Sequence, residues 1–254
     1  MIIDADTHIS PTGEDANAIT CEELIRRMDD AGVDRALTWL RPPYMRDITP
    51  SNRYVFEAVR AHPDRLLGFG WVDPHFGLER ARDEIKRCLE EYQFFGVKLN
   101  GAQNSFYIDD PHLSIPLIET IARYGQRVAF HVGADAFEFT HPFRVGKIAK
   151  MFPELTILMV HMGGVGFADL TSAAIEIAKE HPNLILIGSG VRFEAVLRAI
   201  HQLGAERVCF GSDTPFSLMH VCVAAYQALL RDLTPFEQDL VMGGNLARVL
   251  GLSL

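Results

Sequence analysis

Apolar residues in this chain come in short runs separated by longer stretches of helical period. Eight runs rich in Val, Ile, Leu and Phe occupy 1–9, 35–40, 65–72, 94–100, 127–133, 155–161, 184–190 and 207–213, and each has the length of a buried strand. The segments between them carry helix signals. Thr20 and Glu23 form a capping box before a helix that closes at Gly32, and Thr234 and Glu237 form another, with Pro235 at the first helical position. Around 61–67, 151–158 and 180–187 a proline ends a helix and a strand follows within a few residues. Such alternation predicts parallel strands joined by right-handed crossovers. The expected fold class is α/β, a closed (β/α)8 TIM barrel, with a doubly wound open sheet as the alternative. No linker or low-complexity tract breaks the pattern, so residues 1–254 are read as one domain. The longest interruptions, 100–112 and 133–143, follow strands, where barrel loops build active sites.

The first run, "MIIDADTHIS", contains its own problem. Asp4, Asp6 and His8 fall two apart, so in a regular strand they share one face. Burying them together costs several kcal/mol unless something pairs with them.

Composition narrows the partners. The chain has 254 residues, 48% of them hydrophobic, and a net charge of −9, which argues against nucleic acid or an anionic membrane. No apolar run approaches the roughly 20 residues that span a bilayer. The N-terminal stretch lacks the basic-then-apolar order of a signal peptide. Cys21, Cys88, Cys209 and Cys222 are scattered without zinc-ribbon spacing and read as free thiols in a reducing cytoplasm, the expected location.

Most of the ten histidines have ordinary explanations. His62 and His181 lie at helix-to-strand junctions, His201 in a helix, and His75 and His112 in polar loops; His141 and His220 lie nearer the expected mouth and remain weak substrate contacts. Three behave differently. His8, His131 and His161 end the first, fifth and sixth strands, and Asp213 ends the eighth in "FGSDTP". C-terminal strand ends meet at one mouth of a barrel, so these four residues and Asp6 converge. A divalent cation answers the burial problem, because imidazole nitrogens and carboxylate oxygens are its ligands and its charge neutralises the carboxylates. Asp4 is read either as supporting a ligand from behind or as a buried carboxylate bonded to backbone.

The chain resembles the amidohydrolase superfamily, in particular the amidohydrolase-related branch that includes aminocarboxymuconate-semialdehyde decarboxylase-like enzymes. The matching stretches are "IIDADTHI", "GFGWVDP", "GVKLNG", "FHVG", "VHMGG", "FGSDTP" and "GGNLARVLGL", spread over 2–252. Most of that superfamily carries His-x-His on the first strand; Asp6-Thr7-His8 departs from it and is similar to the acidic-x-His of the aromatic-acid decarboxylases. The resemblance implies that Asp6, His8, His131 and Asp213 hold one metal ion, zinc first, with manganese or magnesium made competitive by the extra carboxylate. It implies that Asp213 takes a proton from metal-bound water, and that His161 acts as general acid or base or polarises a carbonyl. A possible homodimer is implied too. Lys98 is given a supporting or substrate-anion role, against a carboxylated lysine or a Schiff base in an aldolase-like barrel. Arg41 in "WLRPPY" is suited to gripping a carboxylate or else faces solvent. Trp71, Phe106, Tyr107 and Phe139 offer an aromatic wall or packing, and the small residues of "IGSGVR" leave room over the metal.

The reading ranked first is a metal-dependent hydrolase of a small lactone, amide or ester. The alternative is a metal-dependent non-oxidative decarboxylase of a small carboxylic acid. Below both stand a catalytically silent barrel and a Lys98 lyase.

Overall fold

The computed structural model describes residues 1–13, 17–41, 47–165 and 167–252. Its strands are β1 (Ile3–Ile9), β2 (Arg35–Leu40), β3 (Leu66–Gly68), β4 (Gly70–Trp71), β5 (Gly96–Leu99), β6 (Arg127–His131), β7 (Ile157–Val160), β8 (Leu184–Ile187) and β9 (Val208–Cys209). Every pairing between them is parallel, in two runs, β1-β2-β3 and β4 through β9 in order. β3 and β4 are two halves of the third barrel strand, interrupted at Phe69, whose N–H donates to the Thr38 carbonyl at 3.0 Å. The flanking glycines suit this tight passage: a Cβ on Gly68 would lie 2.3 Å from the Phe94 ring, and one on Gly70 2.6 Å from Cys88 Sγ.

The ring closes between β1 and the segment after β9. The Ala5 N–H donates to the Phe210 carbonyl, the Asp213 N–H to the Asp6 carbonyl and the His8 N–H to the Thr214 carbonyl. This seam makes the structure an eight-stranded TIM barrel, as expected. The last strand is shorter than its apolar run because Phe210 N–H turns to the Val241 carbonyl instead of continuing the β8 ladder.

Between the strands lie α1 (Cys21–Ala31), α2 (Thr49–Ala61), α3 (Leu78–Lys86), the short α4 (Gly101–Asn104), α5 (Ile115–Arg123), α6 (Pro142–Met151), α7 (Ala168–Glu180) and α8 (Phe193–Leu203), and after the last strand come α9 (Met219–Leu229) and α10 (Pro235–Asp239). The Thr20 side chain caps α1, which ends at Gly32 with φ 67°, and Thr234 and Glu237 form the full reciprocal box on α10. One apolar cluster fills the barrel with Ile3, Ala5, Leu37, Trp39, Leu67, Phe69, Ala129, Leu158, Val160, Ile185 and Ile187. A larger one packs the outer face of the strands against the helices.

The shared face expected of Asp4, Asp6 and His8 is corrected here. The register of β1 shifts between Asp4 and Thr7, a bulge that breaks the two-residue alternation. Ile3 and Ala5 belong to the inner cluster, so Asp4 between them faces the other way, where its charge reaches Cys222 and Tyr226 of α9. Asp4 Oδ1 accepts the backbone N–H groups of Asp6 (3.1 Å) and Ser212 (2.9 Å), tying both sides of the seam from behind. Burial raises its pKa to about 7.

Candidate metal centre

Strand ends and the turns after them deliver the polar groups at the mouth. His8 Nδ1 lies 2.7 Å from the Leu40 carbonyl, which only accepts, so Nδ1 carries the proton and Nε2 presents a lone pair. The Trp39 indole N–H donates to Nε2 at 3.0 Å, and the same atom faces Asp6 Oδ1 at 3.4 Å and Asp213 Oδ1 at 3.5 Å. A lone pair between two carboxylate oxygens is repulsive until a positive charge joins them. The imidazole pKa records this. Burial and Lys98 push it down, yet Asp213 and Asp6 outweigh them and raise it.

Asp6 is fully buried. The Ser189 hydroxyl donates to its Oδ2 at 2.5 Å, while Oδ1 has no hydrogen-bond partner. Burial works to raise the carboxyl pKa, but Lys98, His8 and His161 hold it well below the usual carboxylate range. Lys98 Nζ sits 4.0 Å from Asp6 Oδ1 and 3.7 Å from the centre of the Trp39 ring, with no hydrogen-bond acceptor. Burial brings the amine down to about 8 against the pull of Asp6 and Asp213.

His161 Nδ1 lies 3.0 Å from the Ser189 carbonyl, which leaves its Nε2 as the free nitrogen. His131 packs edge-on against it, ring centres 4.7 Å apart, and the buried Nε2 of His131 lacks a partner. Burial, with His161 and Lys98 beside it, drives the His131 pKa well down and keeps the ring neutral. Asp6, His161 and Asp213 each offer a ligand atom, and these atoms lie within 4.8 Å of one another. The chain bends sharply to present them, with positive φ at His161 (65°), Met162 (44°) and Asp213 (59°), conformations that non-glycine residues adopt at a cost of order 1–3 kcal/mol.

Two sequence expectations fare differently. Lys98 and Trp71, expected as substrate contacts, are fully buried; their inward-facing positions lie a layer below the mouth, and the Trp71 N–H donates to Asn104 Oδ1 at 2.9 Å. Arg41 follows β2 and is half-buried, its N–H on the Ile9 carbonyl, while Pro42 and Pro43 lie outside the described residues. Of the expected aromatic wall, Phe106 is buried and Tyr107 meets Phe139 edge-on at 4.9 Å. His141 caps α6 by accepting the Phe143 N–H, and His220 is exposed on α9. The sequence marks Ser189 only as a small residue; its place two positions after Ile187, on the inward-facing side of β8, is the signal for its contact with Asp6.

A family model described as "Amidohydrolase" matches residues 3–252. The chain is 24% identical over 250 residues to 2-amino-3-carboxymuconate-6-semialdehyde decarboxylase of Dictyostelium discoideum, covering 84% of this chain and 69% of that one. Its fold superposes on 5-carboxyvanillate decarboxylase from Sphingomonas paucimobilis with a TM-score of 0.80, at 19% identity, over 99% of both chains. It also superposes on a dihydroxybenzoic acid decarboxylase from Polaromonas sp. JS666, with bound manganese and the inhibitor 2-nitroresorcinol, with a TM-score of 0.78, at 17% identity, over 98% of this chain and 96% of the other. With the family model spanning the barrel from its first strand to its last helix, the chain belongs to the amidohydrolase family, among relatives of its decarboxylase branch.

Proposed function

We propose that this protein is a metal-dependent, non-oxidative decarboxylase of a small aromatic or unsaturated carboxylic acid. The sequence ranks hydrolysis first; the relatives favour the alternative, since the curated and structural ones described above are decarboxylases. The observation that carries the reading is Asp6, a wholly buried carboxylate whose Oδ1 lacks a hydrogen-bond partner and faces His8 Nε2. Together with the orphaned Nε2 of His131, it fits a divalent cation.

Asp6, His8, His131 and Asp213 would hold the ion, with His161 beside them. Two carboxylates in the set suit manganese or magnesium better than the zinc expected first. When bound, the ion supplies positive charge that orients the substrate carboxylate and a neighbouring oxygen. The Asp213 side chain is 17% exposed while that of Asp6 is wholly buried and that of His8 nearly so, which makes Asp213 the group that meets the substrate. Asp213 passes a proton, drawn from water at the mouth, to the carbon that bears the carboxylate; the bond to the carboxylate then breaks, its electron pair returns to the ring or double bond, and carbon dioxide leaves. His161, its Nδ1 on the Ser189 carbonyl, keeps Nε2 for the reacting group, and Arg41, directly after β2, is assigned to the acid.

The test is to load the purified protein with Mn(II) and assay hydroxybenzoic acids, lactones and amides together. Carbon dioxide release that is lost on chelation and restored by Mn(II) is expected. Acid formed from lactones or amides without carbon dioxide from any acid overturns the proposal.

A further inference from the structure

Ser189 has one hydroxyl proton and two neighbours that compete for it. Its Oγ lies 2.5 Å from Asp6 Oδ2 and 3.1 Å from His161 Nδ1, and it is fully buried. His161 Nδ1 already carries a proton, directed to the Ser189 carbonyl at 3.0 Å, so the hydroxyl proton goes to Asp6. The fold makes room for this contact: a Cβ at Gly211 would meet Asp6 Cβ at 3.2 Å and Ser189 Cβ at 3.3 Å. A short hydrogen bond to a charged oxygen fixes the rotation of the carboxylate.

We infer that Ser189 is a positioning residue that reserves Oδ2 of Asp6 and so turns Oδ1, the oxygen facing His8, toward the cation. The inference rests on the metal site proposed above. Asp6 Oδ2 is held by the hydroxyl at 2.5 Å, whereas His161 keeps, besides its 3.1 Å contact with the hydroxyl, a backbone carbonyl that survives side-chain substitution. Replacing the hydroxyl therefore separates the two arms.

The experiment is a chelator-competition measurement of the Mn(II) dissociation constant on full-length wild type, Ser189→Ala and Ser189→Cys. Ser189→Ala is expected to weaken Mn(II) binding about 10- to 100-fold, the usual effect of losing a partner of a ligating carboxylate. Ser189→Cys, a weaker donor of similar shape, is expected between the two, and that graded order is what a general packing defect would not give. An unchanged or tighter constant in Ser189→Ala overturns the inference. If that variant does not fold, a Ser189→Cys constant within about two-fold of wild type overturns it, set against the range for such partners. Wild type that binds no Mn(II) overturns the metal reading itself, and the inference with it.

Discussion

The backbone N–H of Asp213 donates to the carbonyl of Asp6 at 2.9 Å. The first strand and the turn after the last are thereby joined main chain to main chain, and their two carboxylates are carried to either side of His8 Nε2. The barrel seam and the candidate site are one piece of backbone.

Asp213→Asn tests the proposed proton donor. Asn tolerates the left-handed φ of 59° as well as Asp does, so the turn survives. Carbon dioxide release is expected to fall about 10²- to 10⁴-fold, the range for loss of a general acid, with the melting temperature little changed. Retained turnover would move the proton to another group.

Lys98→Met should act with opposite signs on the two forms of the protein. The metal-free form loses the cation 4.0 Å from a buried carboxylate and is expected to destabilise by about 3–5 kcal/mol. Mn(II) binding is expected to tighten at least about tenfold, because a like charge has left the neighbourhood. Denaturant melts with and without Mn(II) read both effects.

Asp109 clamps the loop after β5 to α6, with Arg144 Nη1 at 2.6 Å and Lys147 Nζ at 2.9 Å. Burial works to raise its pKa, but Lys147 and Arg144 prevail and lower it from the ordinary 3.8. A depressed folded pKa gives stability that is present above the unfolded value and lost as pH falls through the folded one. Asp109→Asn should therefore cost about 1 kcal/mol at neutral pH, since Lys147 is largely exposed, and the gap from wild type should close below about pH 4. Urea melts across that range check it.

Gly133, with φ 66°, lies so close to the next loop that a Cβ would fall 1.6 Å from the Gly163 carbonyl oxygen. Gly133→Ala forces apart the loops that follow His131 and precede α7. A loss above about 3 kcal/mol in stability is expected, combining the positive φ with a backbone clash. A melting temperature like wild type would refute that.

Much of this was legible in the residues. Eight apolar runs gave eight strand positions, because parallel barrel strands are buried on both faces and show as short continuous runs. The meeting of His8, His131, His161 and Asp213 at one mouth is legible because strand ends converge whatever their distance in sequence. What escaped depended on details that periodicity does not carry. The bulge in β1 turns Asp4 away from its neighbours, and nothing in "DADTH" marks where alternation fails. Lys98 looked available to substrate because an inward-facing residue can lie at any depth, and depth is set by the stagger of strands. Ser189 was overlooked because its importance comes from one contact with Asp6 across the ring. The relatives favour the reaction that the sequence ranks second, and the residues separate the two poorly because both chemistries use the same groups.

The seam also sets an order of events during synthesis. Asp6 lies on the first barrel strand, but the segment that closes the ring over it is made after all the other strands. A nascent chain halted before that segment would own most of a barrel and only part of the candidate site. On the proposed metal reading, ion uptake would report completed closure of the ring, since the carboxylates of Asp6 and Asp213 meet only once the first strand has paired with the segment after the last.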